Sequence, residues 1–207
     1  RVFVPIEAMP RQLKEAFIAA EDKNFYQHLG VDFVALARAM ITNIGNLGSK
    51  RRPVGASTIT QQVAKNFLLT NEVSIERKIK EAILAFRIER AFTKDRIFEL
   101  YLNEIYLGSG SYGCAAAALN YFDKSLGELT ISEAAFLAAL PKAPNNYHPI
   151  RKRQSAVRRR NWVINRMFDE GFIDFETAKK ARREFLEVRN RRDIKIEEAD
   201  FFVEQVR

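Results

Sequence analysis

Leu13-Lys14-Glu15-Ala16-Phe17-Ile18-Ala19-Ala20-Glu21-Asp22, running on into Lys23-Asn24-Phe25-Tyr26-Gln27-His28-Leu29-Gly30, is the stretch whose reading decides the fold. Leu13, Ala16, Phe17 and Ala20 recur at i, i+3, i+4 and i+7, the buried stripe of an amphipathic helix. At about 100° per residue, Glu21 falls on the edge of that stripe and Asp22 points roughly the opposite way. A carboxylate beside apolar neighbours loses hydration, so its pKa rises and it becomes a better base. Glu21 is therefore a candidate for proton transfer. The alternative is a half-exposed carboxylate paired with a nearby Arg or Lys.

Helical periodicity continues outward from this stretch. Pro10 suits a first helical turn, so the first helix is expected over about 10–22. Further helices are expected over about 32–44, from 57 or 58 onward, 74–92, 94–104, 114–122, 132–140, 151–170 and 175–186. Thr58-x-x-Gln61 fits a capping box. Gly171 is placed to end the 151–170 helix, whose Val163, Ile164, Met167 and Phe168 should face inward. Gly45, Gly48, Gly55, Pro53 and the cluster Lys50-Arg51-Arg52 make about 45–55 a mobile loop. Residues about 189–207 are expected to be a linker, irregular or a short strand. The pattern is that of a mainly α chain forming a single domain over 1–207, without strong strand alternation or internal repeats.

Composition bounds the function. The 207 residues are 47% hydrophobic, enough for a real core. The net charge of +8 favours an anionic partner: nucleic acid, anionic lipid or a phosphorylated substrate. A single cysteine, Cys114, excludes an internal disulfide or a cysteine metal cluster and reads as a small buried hydrophobe. The two histidines, His28 and His148, lie far apart, which disfavours a histidine zinc site and leaves only carboxylates for a hard cation. No apolar run approaches the roughly 18–20 residues that cross a bilayer. The abrupt start at Arg1 and the apolar end around Phe201-Phe202-Val203 lead us to expect a longer natural chain.

Two more segments carry chemistry. Ser57, Thr58, Thr60, Gln61, Gln62 and Lys65 gather hydroxyls, amides and an ammonium at a helix start. Such a start suits phosphate or sugar hydroxyls; capping accounts for one or two of these residues. In the next helix Ile75, Ile79, Ala82, Ile83 and Phe86 form an apolar face, while Arg77, Lys78 and Glu81 project from the other side. Alone, that second face reads as a solvated ion-pair surface. Farther on, Arg151-Lys152-Arg153 and Arg158-Arg159-Arg160 could hold phosphate, bind nucleic acid or be solvated, and Trp162 and the phenylalanines read as core.

The order of these motifs is specific. Glu-Asp-x-x-Phe-x-x-His-x-Gly at 21–30, Gly-x-Ser-Thr-Ile-Thr-Gln-Gln at 55–62 and Arg-Lys-x-x-Glu at 77–81 resemble the first three signatures of the peptidoglycan glycosyltransferases. These form glycosyltransferase family 51, found in class A penicillin-binding proteins and monofunctional transglycosylases. Lys94-x-x-Ile97 leading into 100–108 resembles the fourth signature, with Phe98 where leucine is usual, and Arg159-Arg160-x-x-Val163-Ile164 the fifth. The resemblance implies a lysozyme-like helical fold with a large lobe and a smaller membrane-proximal lobe. It implies polymerisation of lipid II at the outer (periplasmic) face of the bacterial cytoplasmic membrane. An N-terminal transmembrane anchor outside this sequence and a C-terminal transpeptidase domain in the full-length protein are further expectations.

Carried over, Glu21 would be the general base and Glu81 the second essential acid. Lys65, Arg77 and Lys78 would cradle the pyrophosphate, and Ser57, Thr58, Gln61 and Gln62 would order the sugars. Asp22, Phe25 and His28 would shape the cleft, and Phe67-Leu68-Leu69 would rest the small lobe on the membrane. Glu81 would either orient Arg77 and Lys78 or hold a divalent cation such as Mg2+ or Mn2+; the sequence leaves both open. Two other classes compete: a lysozyme-like glycan hydrolase, against which the cationic third motif argues, and a non-enzymatic nucleic-acid-binding helical domain. The latter would show steep salt dependence and has no need for the polar cluster at 57–62, so no nucleic acid is expected as partner.

Overall fold

The apolar stripe that opens the chain is buried: Leu13, Ala16 and Phe17 have no solvent exposure at all. The computed structural model describes residues 3–46, 55–68 and 74–188, and the side chains of 67 and 68 are outside that description. The expected loop near 45–55 and tail at 189–207 thus fall largely or wholly outside it, as does the proposed contact at 67–69.

Among the described residues the elements are α1 (Arg11–Glu21), α2 (Phe33–Gly45), α3 (Ile59–Leu68), α4 (Ile75–Ala91), α5 (Lys94–Glu104), α6 (Cys114–Phe122), α7 (Ile131–Ala139), α8 (Arg153–Asp169) and α9 (Phe175–Arg183). They contain no sheet, only an isolated antiparallel bridge between Tyr106 and Tyr112. The helix starts are written locally. Asp32, Ser74, Thr93, Thr130 and Asp174 each accept a hydrogen bond from a backbone N–H in their helix's first turn, satisfying donors that the helix cannot. Gly171 closes α8 at φ +74, where Phe172 N–H donates to Met167 O, a Schellman closure.

The core is built around α7, whose alanines allow α1 and α8 to approach closely. Buried residues of α1, α3 and α5 to α9 join one apolar cluster, in which Cys114 is an ordinary small member. Ahead of α1, the chain entry and the 3-10 turn Ile6–Ala8 are pinned to α5: Val4 N–H donates to Asn103 Oδ1 and Ile6 N–H to Glu99, both at 2.8 Å. By contrast α2 and α4 place no buried residue in the cluster. They form the smaller lobe, joined to the body through α3, which packs on both α4 and α5.

Two orientation expectations are corrected. On α4, Ile75, Ile79, Ile83 and Phe86 face outward, while Glu81 is 1% exposed and Ala85 fully buried. Periodicity locates a stripe but not the side that becomes inner, and here the ionic face turns in. Together with exposed Phe33, Val34, Met40, Ile41 and Ile44 of α2, the outward residues make a broad apolar surface, with Phe33 stacked on Phe86. On α8, Val163, Ile164 and Met167 are buried as expected, but Phe168 and Trp162 are each 40% exposed.

Candidate active site

Glu21 is the last residue of α1 and lines an open groove of about 450 Å³. The groove runs between the end of α1, the inner side of α2, residues 55–58 and the Trp162–Arg166 turn of α8. The Glu21 carboxylate accepts a hydrogen bond from Gln62 Nε2 at 2.8 Å. Burial pushes its pKa up, and the neighbouring Asp22 adds to this. The Gln62 hydrogen bond, Arg159 and Lys142 pull the other way without overcoming burial. The upward direction is the one expected from the stripe, with Glu21 half-buried and part of its surface open to the groove.

Asp22 does not point to solvent. It is the C-cap of α1, and its φ of −159° takes it off the helical wheel. Its carboxylate accepts from Ile59 N–H at 3.0 Å and contacts His28 Nε2 at 2.9 Å. His28 Nδ1 accepts from Gly30 N–H, so Nε2 carries the proton given to Asp22 in this bonding pattern. Asp22 thus ties the end of α1 to the start of α3. Phe25 is fully buried under this turn, edge-on to His28. Asp22 lines the groove, whereas Phe25 and His28 support the turn without lining it. Gly30 adopts φ +94, and an added Cβ would lie 2.9 Å from the Ala85 carbonyl carbon. Only glycine lets this turn and α4 come so close.

The polar cluster at 57–62 divides. Thr58 and Gln61 form the expected capping box, with Thr58 N–H donating to Gln61 Oε1 and Gln61 N–H to Thr58 Oγ1. Thr58 Oγ1 also donates to Gly30 O at 2.6 Å. Both residues are buried, so their polar atoms serve the fold. Gln62 holds Glu21. Ser57 lines the groove and accepts from Lys78 Nζ at 3.0 Å. Lys78 Nζ also donates to Glu81 Oε2 at 2.5 Å. Arg77 Nε lies 3.1 Å from Glu81 Oε1, an ion pair without hydrogen-bond alignment. Lys78 is thereby bonded to a residue that lines the groove holding Glu21, without lining it itself. Neither Arg77 nor Lys65 lines the groove: Arg77 is half-buried against Glu81, and Lys65 is exposed one turn beyond Gln62 on α3.

The donor set around Glu81 does not suit a divalent cation, because each carboxylate oxygen already faces a cationic nitrogen. Among the described residues no group of three or more His, Cys, Asp or Glu side chains could hold a metal.

The structure adds residues that motif reading did not single out. Lys23, Arg38 and Arg166 line the groove, and Lys23 and Arg166 share Glu170 at 3.2 and 2.9 Å. Lys142 and Arg159 act electrostatically on Glu21; only Arg159 stood in a recognised motif. Its neighbour Arg160 holds no phosphate. It is 1% exposed and donates to Ser132 Oγ, Arg182 O and Glu184 O, closing the end of α9.

Comparison with known proteins gives the family. A family model described as Transglycosylase matches residues 1–168. Penicillin-binding protein 1A of Rickettsia felis is 56% identical over all 207 residues, which make up 26% of that protein. The protein of the same name from Aquifex aeolicus is 49% identical over the whole chain, 28% of its own length. The crystal structure of penicillin-binding protein 1A from Haemophilus influenzae matches 92% of this chain and 18% of its own, at 29% identity and a TM-score of 0.54. The chain spans about a quarter of the length of the curated relatives it matches.

Proposed function

The chain belongs to the transglycosylase family, and from that premise we propose that it polymerises lipid II into β-1,4-linked glycan by inverting transfer, releasing undecaprenyl pyrophosphate. The observation that carries the proposal is the shared groove: a desolvated carboxylate, Glu21, opens into the same space as Ser57, to which the Lys78 ammonium is bonded.

Each group suits a step. Glu21 takes the proton from the 4-hydroxyl of the acceptor GlcNAc. That oxygen attacks the anomeric carbon of the donor MurNAc, and the C–O bond to the pyrophosphate breaks with its electron pair leaving on the phosphate oxygen. Configuration inverts from α to β. Pyrophosphate leaves well, so cations replace the strong general acid that glycoside hydrolysis needs. Of the three cations expected from the motifs, Lys78 is the one bonded to a groove-lining residue, and it is assigned that duty. Arg77 supports it through Glu81, which acts as the orienting acid, and Lys65 takes the outer phosphate. Ser57 and Gln62 order the sugars, whereas Thr58 and Gln61 contribute through the cap.

The apolar surface of α2 and α4 supports seating on a membrane surface, where a lipid-linked substrate resides. No described helix is long and apolar enough to cross a membrane. The relatives' name and their fourfold greater length support a parent protein that also carries a penicillin-sensitive transpeptidase domain.

Incubation with labelled lipid II and gel separation of products tests the reading. The expected result is a ladder of lengthening glycan, insensitive to EDTA and abolished by Glu21→Gln. A near-normal ladder from Glu21→Gln removes Glu21 as base. Short fragments released from preformed glycan, without use of lipid II, establish the hydrolase instead.

A further inference from the structure

We propose that Trp162 is a sugar-binding residue of the groove, the platform on which the GlcNAc ring of the acceptor rests while its 4-hydroxyl meets Glu21. The inference rests on the reading of this groove as a glycosyl-transfer site. Trp162 lines the groove together with Glu21 and is 40% exposed, although Val163, Ile164 and Met167 of the same helix are buried. One side of its ring is already covered, because the Arg159 guanidinium carbon stands 3.7 Å over the centroid. A guanidinium stacked in this way holds the indole in one orientation. The surface that Trp162 gives to the groove is therefore fixed in advance of any ligand.

Ion pairs hold that surface beside the turn that Glu21 begins. Trp162 and Arg166 both line the groove and stand one turn apart on α8, about 6 Å of helix rise. Arg166 and Lys23 meet on Glu170, at 2.9 and 3.2 Å. Lys23 follows Glu21 by two residues, at most about 7 Å of extended chain, and it too lines the groove. The aromatic wall and the carboxylate are thus fastened together through Arg166, Glu170 and Lys23, on two helices that pack directly on each other.

A β-linked GlcNAc ring suits this wall. Its ring substituents are equatorial, so its axial C–H bonds form an apolar face, while the hydroxyls and the acetamide spread outward at the rim. The face of an aromatic ring is electron-rich and attracts such C–H groups. One aromatic surface with a few charged donors at its edge is the usual make-up of a small-ligand subsite, and Arg166 and Lys23 supply the donors here. The donor MurNAc fits less well, since its α-linked diphosphate stands axially and blocks one face of the ring. Of the substrate's two sugars, GlcNAc is the one that can lie flat.

Trp162 is the only tryptophan of the chain, so intrinsic fluorescence reads the platform directly. Chitotetraose, a soluble β-1,4-linked GlcNAc tetramer, is titrated into the native chain and into Glu21→Gln, with α-linked maltotetraose as control. Chitotetraose should shift the emission saturably in both proteins, with a Kd on the order of 1–10 mM, and maltotetraose should not. In lipid II polymerisation, Trp162→Leu should raise KM at least about threefold with little change in kcat, the mark of binding lost equally from ground and transition states. Trp162→Phe, which keeps an aromatic face, should recover most of that loss. Melting checks the fold of each variant; if Trp162→Leu does not fold, the titration of the native chain still decides. Emission unmoved by chitotetraose, equal shifts with both sugars, or a fall in kcat at unchanged KM in Trp162→Leu overturns the inference. A shift given by farnesyl phosphate and not by chitotetraose assigns the ring to the lipid tail and overturns it too. Full turnover by Glu21→Gln while chitotetraose still shifts the emission fails the base assignment alone; a glycan ladder abolished by Glu21→Gln with silent emission fails only the present proposal.

Discussion

Glu81→Ala tests the inward turn of α4 most directly. The carboxylate is 1% exposed and faces Arg77 Nε at 3.1 Å and Lys78 Nζ at 2.5 Å. Removing it affects the two cations unequally. The Lys78 side chain is 51% exposed and can turn to water, whereas that of Arg77 is 13% exposed and cannot leave without unpacking the helix. Stranding one buried charge costs about 3–5 kcal/mol. For a chain of this length that lowers the melting temperature by roughly 6–20 °C, at about 2–4 °C per kcal/mol. Arg77→Met, made alone and combined with Glu81→Ala, completes the cycle; the double variant removes both buried charges, and apolar replacement of a buried pair is often neutral or stabilising. The double variant should regain most of the loss, giving a coupling of at least about 2 kcal/mol in a double-mutant cycle, yet make no glycan. Urea unfolding of the four proteins, alongside lipid II polymerisation, supplies every number needed. A cost below about 1 kcal/mol for Glu81→Ala, or no coupling, would mean a solvated surface pair, and the account of α4 would fall.

Glu21→Gln should also change stability in a defined direction. Burial raises the Glu21 pKa in the folded state, so its contribution to stability is fully present below the ordinary carboxylate range and is lost as the pH rises through the folded value. Glutamine can keep the contact with Gln62 and carries no charge. The variant should therefore melt at or above the native chain at pH 7–8, with the difference shrinking toward acid pH; a lower melting temperature at neutral pH contradicts this. Gly30→Ala should destabilise the fold by about 1–3 kcal/mol through its strained φ, more if the Ala85 contact does not relax. It should depress turnover too, because Thr58 loses its acceptor geometry at Gly30 O. Unfolding at native-like urea midpoints would show that the turn has room the structure does not display.

Most of the helical layout was legible in the sequence because its signals are local. Asp32, Ser74, Thr93 and Thr130 cap helices through bonds within three residues, and such bonds leave their mark on short windows. The inner side of α4 was not legible. Its stripe of isoleucines has the right period, but burial is decided by α3 and Gly30, which press on Ala85 and Glu81 from far along the chain. Asp22 was misdirected because a helical wheel holds only while the helix does. Around the groove, motif reading singled out Glu21 and Ser57, which line it, and Gln62 and Lys78, which are bonded to them. It could not find Lys142 or the Arg159–Trp162 stack, which approach Glu21 only through the packing of α1 on α8.

Because α4 carries isoleucines on one side and Lys78 with Glu81 on the other, its own thickness becomes a spacer. A helix with its side chains is about 10–12 Å across, comparable to the headgroup layer between bilayer hydrocarbon and open water. On the proposed seating, an isoprenoid diphosphate would meet the ammonium at the level where it already floats. Every methylene that stays in oil during the reaction avoids a cost of about 0.8 kcal/mol, so a processive enzyme could grip its substrate's head, turn after turn, and leave the tail undisturbed.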